Sequence, residues 1–523
     1  MRNALREFVL AGNGMPASGG DLVALGPQLR WRSDAAARNV RRVWLDTFDW
    51  RLYRAGLTLE LTSARGTAQL TLTGRDGAVV AAQQAGVAGG RPKWPGLLDV
   101  LPAGPLRERL RPVVGVRALM PVARAASTVH GLRVLNSDDK TVARVTVDRM
   151  SVSYPARAVL PPRLAVTALR GYQAQADRLA DILAASRGVT DSAGGALEAA
   201  LAAAGRHPGD YTGKVSVRLV PQSPAVVAVA AVLEQLLGTL QANVGGAARD
   251  IDTEFLHDLR IAVRRTRSTL KLAGDVLPGG LAGRFRPEFK WLGDLTTPTR
   301  DLDVYLMGFA AMAAGLVAAS PAELQPFHED LARRRAAEQR QLARGLRSAR
   351  FSKLSTEWRD ALGSAAGSRR GRPSAAQLAA RRIRRAHRRV LADGGAITAA
   401  SAPECMHELR KRCKDLRYLL EIFGSLYDPG EHWQAVRELK SLQDCLGEFQ
   451  DTEVQRGEIR AFASQMMDAR TAPAATLLAM GEVATGLAIR QRQARSEFAG
   501  RFRDFASPAS QHRILAMTET AAS

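Results

Sequence analysis

His257-Asp258-Leu259-Arg260 opens the stretch HDLRIAVRRTRSTLKL, residues 257–272. His407-Glu408-Leu409-Arg410, 150 positions later, opens HELRKRCKDLRYLLEIF, residues 407–423. The correspondence continues without a gap. Arg264 meets Lys414, Arg267 meets Arg417, Leu270 meets Leu420 and Gly274 meets Gly424. Further on, Lys290 meets Lys440, Leu292 meets Leu442 and Asp294 meets Asp444. Asp301, Asp303 and Val304 then meet Asp451, Glu453 and Val454. A register held over 48 positions signals an internal duplication, each copy supplying an equivalent helical hairpin.

Helical spacing gives the repeat its chemistry. At about 100° per residue, His257, Arg260, Arg264, Arg267 and Lys271 fall within a stripe roughly 80° wide. Leu256, Leu259, Val263 and Leu270 form an adjacent apolar stripe that can face a bundle core. In the second copy His407, Arg410, Lys414 and Arg417 repeat the basic stripe beside Leu409, Cys413, Leu416 and Leu420, and Glu421 stands where the first copy has Lys271. Aligned cations repel one another, so something must offset them. The candidates are carboxylates on the following helix (Asp294, Asp301 and Asp303, or Asp444, Asp451 and Glu453) and an external polyanion whose oxygens take guanidinium forks bidentately. For the two histidines a buried structural role competes with a ligand-facing one.

Outward from the repeat, the chain has two textures. Residues 1 to about 215 carry short alternating segments such as Leu57-Thr58-Leu59-Glu60-Leu61, Leu70 to Thr73 and Val142 to Val147. Turns such as Gly74-Arg75-Asp76-Gly77 and Asn136-Ser137-Asp138-Asp139 separate them, which predicts antiparallel β. Helices are predicted near Leu97–Leu110 and Tyr172–Ala185. From Ser223, read as an N-cap before Pro224, the period becomes helical. The expectation is an α+β N-terminal domain over 1–205, a linker over 206–222 within a Gly-, Ala-, Ser- and Pro-rich stretch, and an all-α domain over 223–510. The two copies of the repeat occupy about 223–370 and 371–510.

The charge balance is 74 Lys+Arg against 51 Asp+Glu, a formal +23, which draws polyanions: nucleic acid, anionic membrane or polyphosphate. Residues 1–250 hold 31 basic and 19 acidic side chains and residues 251–523 hold 43 and 32, so total charge does not select the binding domain. Arrangement does. Residues 331–389 hold 18 basic and 3 acidic side chains, including Arg381, Arg382, Arg384, Arg385, Arg388 and Arg389 around His387. A solvated helix face is the bland reading of that run. Three cysteines with no CxxC spacing indicate neither a zinc site nor a disulfide framework, and a reducing cytoplasm fits. The N-terminus has no continuous apolar stretch of the signal-peptide kind. The stretch Ala225–Leu240 reads as an amphipathic helix shorter than the ~20 residues of a membrane span.

HDLRIAVRRTRSTLKL, FKWLGDLTTPTRDLDVYL (289–306), HELRKRCKDLRYLLEIF and LKSLQDCLGEFQDTEVQ (439–455) resemble, in order, the four signature blocks of the CHAD family. The resemblance implies two pseudo-symmetric four-helix bundles with a basic groove between them that binds inorganic polyphosphate. Carried over by position, the binding residues are His257, Arg260, Arg264, Arg267, Lys290 and Arg300, with His407, Arg410, Lys414, Arg417 and Lys440. Gln450 stands where the first copy has Arg300. The stripe adds Lys271, and the arginine run adds Arg381, Arg384, Arg385 and Arg388.

The N-terminal half resembles the CYTH family, the triphosphate-tunnel fold. The match lies in Trp44-Leu45-Asp46-Thr47-Phe48-Asp49 and Leu52-Tyr53-Arg54-Ala55-Gly56-Leu57-Thr58-Leu59. Active members open with an ExExK strand, whose period-two carboxylates point to one side and hold a divalent metal. Here the opening is Arg6-Glu7-Phe8-Val9-Leu10-Ala11, and family basic positions are occupied by Glu60, Thr62 and Thr73. The resemblance therefore implies a tunnel without its catalytic apparatus.

The functional expectation is non-enzymatic binding of inorganic polyphosphate, without cofactor, metal or membrane insertion, in the cytoplasm and with recruitment to polyphosphate granules. The alternatives are nucleic-acid binding, disfavoured by the 5% aromatic content and the lack of zinc ligands or an RRM-like strand motif, and a metal-dependent triphosphatase in the N-terminal tunnel.

Overall fold

The computed structural model describes residues 5–10, 30–34, 36–85, 93–192, 194–367 and 373–520. The chain divides into two compact units, Met1–Thr212 and Gly213–Ser523.

The first unit is built on an antiparallel sheet. Its strands are β1 (Leu5–Leu10), β2 (Arg30–Ser33), β3 (Arg38–Asp46), β4 (Leu57–Ala64), β5 (Thr67–Gly74), β6 (Val79–Gln84), β7 (Met120–Leu135), β8 (Thr141–Tyr154), β9 (Ala158–Val159), β10 (Arg163–Ala168) and β11 (Val189–Asp191). Their order is β11-β1-β10-β8-β7-β3-β4-β5-β6, with β2 also on β7 and β9 also on β8. Alternation sends Leu45, Leu59, Leu61, Leu70 and Leu72 to one face, beneath the short α1 (Arg51–Arg54) and α2 (Pro105–Val114). The pairing register places Val145, Val147, Leu164 and Val166 on that same face, beneath α3 (Gln173–Ala184). The opposite face buries Trp44, Met150 and Val152 under α4 (Ala196–Ala202).

The turns form as their residues require. Asn136 Oδ1 accepts from the amides of Asp138 and Lys140, and Gly77 takes a positive φ of 73°. The insertion predicted near Leu97–Leu110 is two pieces, a 3₁₀ turn at Leu98–Val100 and α2, because Gly104 and Pro105 set a fresh helix start. The segment 186–222 is more structured than its composition indicated. β11 pairs with β1, and α4 supplies Leu197, Ala200 and Leu201 to a core. Asp210 receives Trp50 Nε1 at 2.9 Å and pairs with Arg206, so residues 206–212 are fastened to the first unit. Leu219 is buried in the second.

The second unit is helical. The first copy comprises α5 (Ala225–Ala248), α6 (Thr253–Ala273), α7 (Leu281–Ala314), α8 (Gln325–Leu346) and α9 (Ala349–Ala366). The second comprises α10 (Ala375–Gly395), α11 (Pro403–Phe423), α12 (Pro429–Asp468), α13 (Ala474–Phe505) and α14 (Pro508–Thr520). Each copy therefore has five helices among the described residues, not the four implied by resemblance. The extra break has local causes: Ser348 caps α9 by accepting from the Phe351 amide, and Pro508 opens α14. The second copy runs past residue 510.

Helix α5 starts one residue later than the Ser223-Pro224 reading. The Ser223 hydroxyl donates to Val220 O, and Pro224 keeps an extended ψ of 135°. The helix also continues beyond Leu240 to Ala248. At 24 residues it is long and apolar enough to cross a membrane, but 61% of its most apolar window is buried inside the protein. The duplication shows in the backbone. The Ala225 amide donates to Pro373 O at 3.0 Å and the Ala375 amide to Ser223 O at 2.8 Å, a reciprocal pair between positions 150 apart. That reciprocity is the signature of a two-fold relation between equivalent surfaces. A shared apolar cluster joins the far ends of the copies, with Phe309 and Phe327 on one side and Met466 and Met480 on the other.

Candidate functional site

Both apolar stripes are buried as their spacing requires. Leu256, Leu259, Val263 and Leu270 of α6, and Leu409, Cys413, Leu416 and Leu420 of α11, are at most 2% exposed. With those faces fixed, the basic stripes must lie beside them. Helices α6 and α11 come together, and a cleft of about 470 Å³ opens between α6, α11 and α12. Arg264 and Arg265 line it from the first copy. Arg410, Lys414, Arg417 and Tyr418 line it from the second. The two copies thus contribute cations to one cleft.

Carboxylates also line it: Glu421, Asp444, Glu448 and Asp451. Several are committed. Arg410 Nη2 donates to Asp451 at 2.8 Å, and Arg417 Nε donates to Glu421 at 2.9 Å and Nη1 to Gln443 at 3.2 Å. Arg265 reaches across the copies to Glu421 at 3.0 Å. Arg264 and Lys414 differ: among the described residues neither makes an ion pair, and the Arg264 guanidinium lies over the Tyr418 ring, 6.0 Å from its centroid. Burial, then Arg410 and Arg264, push the Lys414 ammonium down to about 8.

The same crowding marks the first copy's stripe. Burial, then Arg300, lowers His257 below its ordinary 6.5, so the imidazole is neutral at neutral pH. Burial makes charged Arg260 less favourable; Asp301, at 3.8 Å, opposes this, and Arg264, Arg300 and Arg267 add to it. Burial likewise raises the Asp301 carboxyl despite Arg260. Arg260 also bonds Thr297. Among the described residues, Arg300 Nη1 is buried without a hydrogen-bond partner. In the second copy His407 Nδ1 instead stands 2.8 Å from Gln450 Oε1, at the position equivalent to Arg300.

The other sequence-derived site residues lie elsewhere. Lys271 is held by Asp415 at 2.7 Å, a contact between α6 and α11. Lys290 pairs with Asp294 at 2.7 Å. Lys440 pairs with Asp444 at 2.5 Å and lines a separate cleft between α12 and α13. Of the α10 arginines, Arg384 is tied to Thr518 and Glu519 of α14, and Arg381, Arg385 and Arg388 are exposed on a helix that lines no part of the central cleft. The run 331–389 is divided further: Arg335 is a structural lock, bonded to buried Asp303 at 2.8 Å and to Asp250. Sequence reasoning missed Arg265, Tyr418 and Gln443. The first lies one position off the stripe, and all three enter only through packing between α6, α11 and α12.

In the first unit the sheet face opposite α1–α3 carries Arg42, bonded to Glu60 at 3.0 Å and Asp148 at 2.8 Å, and Arg163, bonded to Glu7 at 2.6 Å. Burial raises the Glu60 carboxyl, with Arg42 opposing it. The motif residues Asp46, Thr47 and Asp49 build a local frame. Asp46 accepts from the amides of Thr47, Leu52 and Tyr53, and Asp49 accepts from Thr47 and Arg51.

The α6–α7 hairpin and its α11–α12 counterpart carry the signature blocks, and residues 231–460 match the model of the CHAD domain family. This stretch is a CHAD domain. It supplies every residue of the central cleft. Among solved structures, the CHAD domain from the plant Ricinus communis is 24% identical with a TM-score of 0.48, covering 55% of this chain and 96% of its own. PptA from Streptomyces chartreusis is 16% identical with a TM-score of 0.43, covering 54% and 100%. A Bacillus halodurans protein named provisionally as an adenylate cyclase is 13% identical with a TM-score of 0.26, covering 35% and 87%. No curated protein matches the chain.

Proposed function

We propose that the protein binds inorganic polyphosphate in the CHAD cleft and does not turn it over. The observation that carries this reading is the placement of Arg264 and Lys414. They come from different copies into one cleft and lack ion-pair partners among the described residues, and Arg264 adds to the burial and the Arg410 charge that push the Lys414 ammonium down. A chain of phosphates offsets that repulsion and takes bidentate guanidinium forks. Arg410 and Arg417, already oriented by Asp451 and Glu421, extend the cationic track. In the first unit, Glu7, Glu60 and Asp148 are each held by an arginine, which supports a tunnel face without hydrolytic function. Polyphosphate binding without turnover fits a cytoplasmic protein recruited to polyphosphate granules.

The test is competition on the full chain between long-chain polyphosphate and DNA at equal phosphate concentration. Polyphosphate displaces DNA under this reading. Preferential retention of DNA overturns it in favour of a nucleic-acid-binding protein. Release of phosphate from polyphosphate or triphosphate with Mg²⁺ overturns the non-enzymatic part.

A further inference from the structure

Helix α10 carries a face that its counterpart in the first copy lacks. The reciprocal backbone bonds between Ala225 and Pro373 and between Ala375 and Ser223 put α5 and α10 in equivalent places, 150 positions apart. On α10 the exposed positions from 377 to 392 are Gln377, Arg381, Arg385, Arg388, Arg389 and Ala392, and Ile383, His387 and Val390 are buried on the other side. The arginines divide accordingly. Arg382 and Arg384, on the flanks, are paired with Asp275 and Glu519. The four exposed ones make no ion pair among the described residues, and Asp393, one turn beyond Arg389, is taken by Arg412 at 3.3 Å. The equivalent positions of α5 hold Ala231, Gln235, Gly238 and Thr239, none of them charged. Gln235 there is engaged within the chain: it accepts from the Ser216 amide at 2.9 Å and donates to Lys214 O at 3.1 Å, so residues 214–216 lie against that helix face. Arg385, its equivalent, is exposed.

The fold does not need these cations, because α5 forms and packs in the equivalent place without them. They also oppose one another. Arg381 with Arg385, and Arg385 with Arg388 and Arg389, are like charges three or four positions apart, which destabilises a helix. At a rise of about 1.5 Å per residue the four stems stand along roughly 12 Å of α10. A linear polyanion laid along that row offsets the repulsion and accepts from the planar guanidinium forks. The exposed face of α10 offers no aromatic ring for stacking bases and no large apolar side chain for entering a membrane. Since α10 lines no part of the central cleft, this surface is separate from it.

We propose that the exposed arginine face of α10 is a second polyphosphate-binding surface, so that the protein engages one long chain at two places. The choice of ligand rests on the cleft reading; the surface itself does not. Binding of long-chain polyphosphate, tripolyphosphate and duplex DNA to the full chain tests it, in the parent, in R264Q/R410Q/K414Q, in R381Q/R385Q/R388Q/R389Q and in the two sets combined. The α10 variant is expected to melt no lower than the parent, because no ion pair is lost. It binds long-chain polyphosphate about tenfold or more weakly and with a flatter salt slope, and tripolyphosphate, too short to reach both surfaces, loses less. The cleft variant keeps a residual long-chain affinity that the combined variant loses. If circular dichroism shows the fourfold α10 variant misfolded, R385Q/R388Q carries the same comparison. A folded α10 variant with unchanged long-chain affinity and salt slope overturns the proposal, as does a cleft variant that binds no long-chain polyphosphate. Tighter binding of DNA than of polyphosphate by the cleft variant overturns it in favour of a nucleic-acid surface. Binding lost in the α10 variant and intact in the cleft variant supports this surface and refutes the cleft reading instead.

Discussion

Arg410 donates to Asp451 at 2.8 Å, and 150 residues earlier Arg260 and Asp301 face each other at 3.8 Å across the equivalent hairpin. The carboxylate steadies an arginine at the edge of the cleft and competes with any phosphate for it. D451N is expected to tighten polyphosphate binding several-fold and to lower the melting temperature of the unliganded chain. Titration and a melting curve check this. Weaker binding by a folded D451N chain would show that Asp451 orients Arg410 more than it competes.

Lys414 gives the site a pH dependence of defined sign. Its free ammonium is lost near pH 8, and a bound polyanion favours the charged form. Binding above pH 8 therefore takes up a proton, and affinity falls as pH rises from about 8 towards 10. K414R, charged throughout, is expected to flatten that profile.

The same depression acts on stability. A lowered lysine pKa means that the charged form is disfavoured in the fold, a cost present below pH 8 that fades as pH rises towards the unfolded value. K414M is expected to stabilise the unliganded protein at pH 7 by on the order of 1 kcal/mol after solvent screening, while weakening polyphosphate binding. Stability and affinity moving in the same direction would contradict the crowding argument.

His257 and Arg300 make a spectroscopic test. Burial and then Arg300 hold the imidazole below its ordinary range. R300Q installs the residue that the second copy has at Gln450, and the His257 titration followed by NMR is expected to move upward. An unchanged titration would mean that burial alone sets it.

Arg335 is expected to matter for folding. Asp303 is 2% exposed and its carboxyl is raised chiefly by burial, with Arg335 opposing the rise. R335M strands that carboxylate and is expected to cost about 3 kcal/mol at pH 7. Because protonation removes the buried charge, the cost shrinks at acidic pH. Chemical denaturation at pH 7 and pH 5 reads both effects.

The sequence carried the duplication, the buried stripes and the division into sheet and helices, because each is a periodicity within one segment. Leu259 and Leu409 are fully buried as spacing demands. What it did not carry depends on which helices meet. Arg381, Arg385 and Arg388 form a dense basic run, yet α10 does not line the cleft. Lys271 sits on the stripe, yet Asp415 on α11 holds it. Arg265 lies off the stripe, yet the approach of α6 to α11 brings it in. Charge density along a helix reports its solvent face; the partner helix decides which part of that face becomes a site.

The central claim is that cations from both copies hold one polyphosphate chain. Long-chain polyphosphate affinity measured against salt concentration tests it most directly, in the parent and in R264Q/R410Q/K414Q. For nucleic acids each neutralised phosphate adds roughly 0.7–0.9 to the logarithmic salt slope, and the same direction holds here. The account predicts weaker binding and a flatter slope in a variant whose circular dichroism and melting curve match the parent. A folded variant with unchanged affinity and unchanged slope would contradict it.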